Sequence, residues 1–176
     1  MSHELNSPWT LSFPEKWGAP DSVKMNKLIS WTDHTDDGIK YFSGTATYKN
    51  SVDISRESLT KDSIIKINLG EVFDVARIFV NGKSAGVLWT PPFSMNIKDH
   101  LKPGRNTIEI QITNMWINRL TGDMNSIDGK KYCQTNIPYN KKDRFPNGNG
   151  DEKFHVQRAG LLGPVKIEEI QTALMR

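Results

Sequence analysis

Cysteine is nearly absent: Cys133 is the single one among 176 residues. Neither a disulfide framework nor a cysteine-based zinc site can be built inside one such chain. No paired base is evident near Cys133, so it reads as a small, partly buried apolar residue rather than a nucleophile. Long apolar runs are missing too. Nothing approaches the ~20 residues of a membrane span, and no membrane partner is expected. Charge of one sign is not concentrated either. Lys+Arg 23 against Asp+Glu 20 leaves +3, and the nearest approach to a basic block is Lys130-Lys131 with Lys141-Lys142. Nucleic acid would demand a basic stripe, so it is not an expected partner. The start, Met1-Ser2-His3-Glu4-Leu5-Asn6, has no basic region followed by an apolar one, so no signal peptide is expected there. His3, His34, His100 and His155 show no close zinc-ligand spacing. A Gly-x-Ser-x-Gly elbow, a P-loop and an HExxH pattern are all missing, and no long stretch of period 3.6 stands out.

What is present is short, alternating and punctuated. Beyond Val75, two alternating apolar runs flank Asn81-Gly82, a pair suited to a type I′ turn because both central residues need positive φ. Phe93–Ile97 follows, then a Pro103-Gly104 turn and the alternating run Thr107-Ile108-Glu109-Ile110-Gln111-Ile112-Thr113. Earlier strands are expected at Trp9–Phe13, from Thr45 toward Ile54, and at Ile64–Leu69; a last one is expected at Val165–Ile170. Residues 14–40 read as a long irregular connection with a short ordered piece around Leu28–Trp31. Residues 115–155 read as long irregular loops, which in a compact domain are usually functional or mobile. The whole chain, 1–176, is expected to be one domain with an ordered core over about 7–170. Its fold class is all-β, a β-sandwich of jelly-roll type.

Several pieces fit one pattern: Tyr41-Phe42-Ser43-Gly44-Thr45-Ala46-Thr47-Tyr48, Leu69-Gly70-Glu71-Val72, Val80-Asn81-Gly82-Lys83 with Gly86, and Leu101-Lys102-Pro103-Gly104-Arg105-Asn106. Ile112-Thr113-Asn114 and Gly160-Leu161-Leu162-Gly163-Pro164-Val165 complete it. Together they resemble the sugar-binding, galactose-binding-like β-sandwich of family 2-type glycoside hydrolases. The run Asn114-Met115-Trp116-Ile117-Asn118-Arg119-Leu120-Thr121-Gly122-Asp123 is more specific. With the Gly160–Val165 ending, it resembles the C-terminal β-sandwich of bacterial α-L-rhamnosidase-type, family 106-like, enzymes. The likeness spans about Trp9 to Ile170. It implies a galactose-binding-domain-like jelly roll and an accessory domain, because in such enzymes the catalytic carboxylates sit on a separate barrel. Export to the periplasm or cell surface is what the resemblance implies for location.

Sugars pack apolar C–H faces on aromatic rings and need planar polar partners for their hydroxyls. The candidates on those grounds are Trp89 at the hairpin exit and Trp116, with Asn118, Arg119 and Asp123 beside it. Core or loop packing is the alternative for each tryptophan. An Arg119–Asp123 salt bridge that orders the loop is the alternative for the polar group. His155 and Arg158 precede the closing strand. Family 2 enzymes place an acidic residue and an arginine near their cleft from a related segment; here His155 stands at the position that best matches the acid, and the spacing is shorter. A hydrogen-bonded structural histidine is the alternative. Asp33, Asp36 and Asp37, with His34, form either a solvated turn or a metal loop; their spacing does not match an EF-hand. Sandwiches of this kind often carry structural calcium, so the resemblance implies Ca2+ as a candidate ligand, while no cofactor is required.

Three functions follow as expectations. The leading one is a carbohydrate-associated domain without a catalytic barrel, with an oligosaccharide or polysaccharide as partner. The second is a structural domain that packs on a glycosidase catalytic domain, which predicts an exposed apolar patch. The third is a small independent hydrolase, which needs two carboxylates about 5–10 Å apart from among Asp123, Asp128, Asp151 and Glu152.

Overall fold

A computed structural model describes residues 2–6, 8–60, 62–126, 130–133 and 155–171. Among these residues twelve strands are formed: β1 (Ser2–Glu4), β2 (Trp9–Ser12), β3 (Ser22–Met25), β4 (Thr45–Ile54), β5 (Ser63–Asn68), β6 (Glu71–Phe73), β7 (Val75–Val80), β8 (Lys83–Leu88), β9 (Ser94–Asn96), β10 (Gly104–Thr113), β11 (Gly160–Gly163) and β12 (Lys166–Gln171). Three short α-helices accompany them: α1 (Asp37–Lys40), α2 (Arg56–Thr60) and α3 (Ile117–Asn125). The strands make a six-stranded sheet in the order β3-β2-β4-β10-β7-β8, a four-stranded sheet β1-β12-β5-β9, and the pair β11-β6. This is the all-β sandwich expected from the alternating runs. Among the described residues, no helix is long and apolar enough to cross a membrane.

The pairing of β4 with β10 is the spine. It runs from Gly104 opposite Ile54 to Thr113 opposite Thr45. Ile108, Ile110 and Ile112 alternate inward and are fully buried, as a strand with period two demands. Each such burial stabilises the fold by about 1.5–3 kcal/mol relative to an exposed position. The outward face carries a paired Lys49–Glu109 contact of 3.1 Å. Against this layer the second sheet sets Ile65, Ile67 and Ile167, and the two buried faces share one core. The β7–β8 hairpin turns at Asn81 and Gly82, with φ of 52° and 78°, as the Asn-Gly pair predicts. Asn106 explains the next turn. It is fully buried, its amide donates to the carbonyls of Lys102 and Gly104, and its oxygen accepts from the Lys102 amide and Asn81 Nδ2. One side chain thereby replaces the backbone bonds that the Pro103-Gly104 turn lacks.

Several segments differ from expectation, among them β1 and α2, which the sequence did not announce. The connection over 14–40 holds β3, a 3-10 turn at Trp31–Asp33, and α1. Trp31 in it is a central core residue with no exposure; its indole Nε1–H donates to Tyr48 Oη, which also accepts from the Leu161 amide. Burial raises the Tyr48 phenol well above its ordinary range, although those two bonds offset part of the rise. The link at Glu71 and the Gly160–Gly163 ending pair with each other as β6 and β11. The first part of the 115–155 stretch is the helix α3. Asp128, Asp151, Glu152 and the Lys141-Lys142 pair lie outside the described residues.

Candidate functional site

Strand β10 ends at Thr113, and the side chain of the next residue, Asn114, holds the corner: Oδ1 accepts from the Gly44 amide and Nδ2 donates to the Phe42 carbonyl. The chain then enters α3 without a side-chain cap of its own. Ser43 supplies one from the far side of the corner. Its hydroxyl accepts from the Arg119 amide in the first turn and donates to the Met115 carbonyl. That meets a donor every helix start leaves open.

Helix α3 turns its polar side inward. Asn118, Arg119, Thr121 and Asp123 are buried. Asn118 accepts from the Gln157 amide and donates to the Gln157 carbonyl, both at 2.7 Å, which ties the 155–159 segment to the helix. Arg119 and Asp123 form an ion pair at 2.9 Å, with each side chain only 5% exposed. The Arg119–Asp123 salt bridge weighed from the sequence is thus formed. Asp123 also accepts from the amides of Tyr132 and Cys133 and from the Cys133 thiol at 2.8 Å. Burial pushes the Asp123 carboxyl up, but the Cys133 thiol and amide, the Tyr132 amide and the Arg119 charge together outweigh it and hold the group below its usual value. The same contact, after burial, pushes the Cys133 thiol up to about 11. A thiol so held is protonated at neutral pH, in keeping with a non-nucleophilic Cys133.

The Arg119 guanidinium lies over the Tyr132 ring, 4.6 Å from its centre. Its Nη1 is buried and has no hydrogen-bond partner among the described residues. Beside it opens a cleft of about 730 Å³, lined by Arg119, Tyr41, Tyr132, Asp37, Asn125 and Ser126, among others. Gly18 forms part of one wall because a Cβ there would come within 2.6 Å of the Tyr132 ring. Trp17, next to it, packs edge-on against Trp116 with ring centres 5.5 Å apart. Trp116 is 54% exposed.

The structure brings Trp116, Asn118, Arg119 and Asp123 together on α3, and Asn118 draws the segment carrying His155 and Arg158 toward them. His155 is exposed. Arg158 is taken up elsewhere: it pairs with Glu71 at 3.0 Å and lies over the Phe73 ring. Trp89 does not join the group. It follows β8 at one edge of the six-stranded sheet and is 74% exposed, whereas Trp116 packs on the β2–β3 loop at the other edge. Sequence reasoning missed Trp17, Asp37 as a cleft residue, Tyr41 and Tyr132; the Trp17-Gly18 step inside a Pro-flanked loop was the one available signal. Asp36 caps α1 by accepting from the Gly38 amide, and Asp33 and Asp37 are exposed. Among the described residues, no three His, Cys, Asp or Glu side chains converge as a metal site.

No protein-family model matches the chain. Similarity to parts of larger proteins nonetheless covers nearly the whole chain. The chain is 33% identical, over 177 aligned positions and 93% of its length, to a Formosa agariphila protein that carries the name beta-glucuronidase. It spans only 15% of that protein. Among solved structures, a rhamnosidase from Novosphingobium sp. PP1Y superposes with a TM-score of 0.80 and 30% identity, over 96% of this chain and 15% of that one. A Ruminococcus gnavus beta-glucuronidase matches 65% of the chain with a TM-score of 0.54 and 21% identity, which speaks for the fold alone. The chain thus resembles a β-sandwich that forms a small part of much larger glycoside hydrolases.

Proposed function

We propose that this chain is an accessory β-sandwich domain of a glycoside hydrolase, without a catalytic barrel of its own, and that it contributes glycan contacts from the α3 end. The observation that carries the reading is the superposition of nearly the whole chain on 15% of a rhamnosidase; the chemistry lies in what that end presents. Trp17 and Trp116 offer ring surface at the rim, and Tyr41 and Tyr132 offer it in the cleft. Saccharide C–H faces pack on such rings, and Asp37, Asn125 and Ser126 supply the polar lining that hydroxyls require. The proteins it resembles carry the names rhamnosidase and beta-glucuronidase, which makes an oligosaccharide the ligand class to try. A glycan-array screen of the folded chain tests this. Specific binding that Trp116→Ala abolishes, with the fold retained, is the expected result; a folded protein that binds no glycan overturns it.

A second reading has its own support. The outward side of α3 carries Trp116, Leu120 and Met124 at four-residue steps, with Met115 just before it; Met115, Trp116 and Met124 are exposed by 56%, 54% and 40%. An apolar stripe on the solvent side of a helix suits docking against a catalytic domain. Under that reading Met124→Asp disrupts attachment to the catalytic domain and leaves glycan binding by the isolated chain unchanged.

A further inference from the structure

The cleft beside α3 continues into a second hollow. The two share Gly18, Lys130 and Tyr132. The outer one, about 580 Å³, adds Lys16 and Lys131 to the lining. Across both, among the described residues, the cationic lining residues are Arg119, Lys130, Lys16 and Lys131, and the lining carboxylate is Asp37. The chain as a whole is close to charge balance, with 23 basic against 20 acidic residues. Among the described residues this end is more basic than that: with Arg119 paired to Asp123, the lining still sets Lys16, Lys130 and Lys131 against Asp37.

Arg119 gives that charge a direction. Its guanidinium is fixed by the Asp123 ion pair and the Tyr132 ring, and its Nη1 is a buried donor with no acceptor among the described residues. A buried donor left unmet is costly, so an oxygen that reaches it gains what the free protein lacks. A planar guanidinium suits a ligand with two oxygens on one centre, which it can bond in parallel. Lys130 lies over the same Tyr132 ring at 4.9 Å, which keeps a second cation at the mouth.

We infer that the basic cleft receives the anionic group of an acidic saccharide, a uronate carboxylate or a sulfate ester. The inference rests on the glycan-binding reading above and narrows it. The sugar ring lies against Tyr41 and Tyr132, its charged group points to Arg119, and the lysines attract it from the outer hollow.

Titration calorimetry on the whole folded chain, with three probes on one backbone, tests this: a β-1,4-linked cello-oligosaccharide, the oligoglucuronate of the same length and linkage, and the sulfated cello-oligosaccharide. At least one acidic probe is expected to bind tighter than the neutral one by about tenfold or more, and to weaken as salt is added. Which acidic probe wins identifies carboxylate or sulfate as the source. Lys16→Gln with Lys130→Gln and Lys131→Gln, all at exposed positions, is expected to remove that preference without unfolding the protein. Arg119→Lys keeps the charge and loses the fork, and is expected to weaken the acidic probe as well. Equal affinity for neutral and acidic probes, or no change in the triple variant, overturns the anionic inference and leaves glycan binding standing. No binding of any probe by a chain that still melts cooperatively overturns both.

Discussion

Strand β10 and helix α3 are consecutive in the chain and bury opposite chemistry. β10 turns Ile108, Ile110 and Ile112 inward. α3 turns Asn118, Arg119, Thr121 and Asp123 inward and leaves Trp116 and Met124 in solvent. The strand is held by area removed from water, which is non-directional. The helix is held by a few named bonds: Ser43 to Arg119, Asn118 to Gln157, and Asp123 to Arg119, Tyr132 and Cys133. A sandwich needs the first kind of burial. Nothing in the sandwich itself calls for the second, and the apolar stripe it turns outward is wasted unless something else meets it. The contrast separates the sandwich scaffold from the end proposed to meet a glycan.

The contrast can be broken most sharply at Asp123. Asp123→Ala leaves Arg119 buried without its counter-charge and should cost about 3–5 kcal/mol in urea denaturation. The double substitution Arg119→Met with Asp123→Leu should cost less than Asp123→Ala alone, because no charge is then stranded. On the other side of the comparison, Ile110→Ala should cost about 3 kcal/mol by loss of transfer energy and a residual cavity. The cost there should be insensitive to pH, since no titrating group is involved.

Acid separates the two regions further. The Asp123 carboxyl is depressed in the folded protein. Its contribution is therefore present above the unfolded value, about 3.9, and is lost as pH falls through the lower folded value. The α3 end should loosen below about pH 4, reported by near-ultraviolet circular dichroism of the Trp17–Trp116 pair, and Asp123→Asn should remove this acid step. The smallest effect is expected at the exposed rings: Trp116→Ala and Trp89→Ala should each change stability by less than about 0.5 kcal/mol. A larger loss at Trp116 in thermal melts would mean that its contact with Trp17 supports the fold.

The β-sandwich was legible because its signals are local. Asn81-Gly82 names its own turn, and the alternation over Thr107–Thr113 states which side is buried. Helix α3 was not legible, for the reason that makes it interesting. A search for helical period looks for apolar residues on the inner side, and here that side is polar. Trp31 was hidden differently: its burial depends on Tyr48 and on the Ala159 carbonyl that accepts its amide, partners that no spacing announces. The Arg119–Asp123 pair was readable as an i, i+4 salt bridge, whereas the cleft draws on the 16–19 loop, α1, α3 and Tyr132, which only the fold brings together.

The cap on α3 has a consequence for the order in which the chain acquires its shape. Ser43, which meets the Arg119 amide, stands 76 positions upstream, and Asn118 reaches forward 39 positions to Gln157. A nine-residue helix with no cap of its own is too short to persist in water alone. It must therefore wait until β4 and β10 have paired and brought the Ser43 corner alongside. During refolding, amide protons of α3 should become protected after those of β10. In the native protein they should exchange first, by an opening that leaves the sandwich closed. The end of the molecule proposed to meet a glycan is then also the last to be assembled and the first to yield.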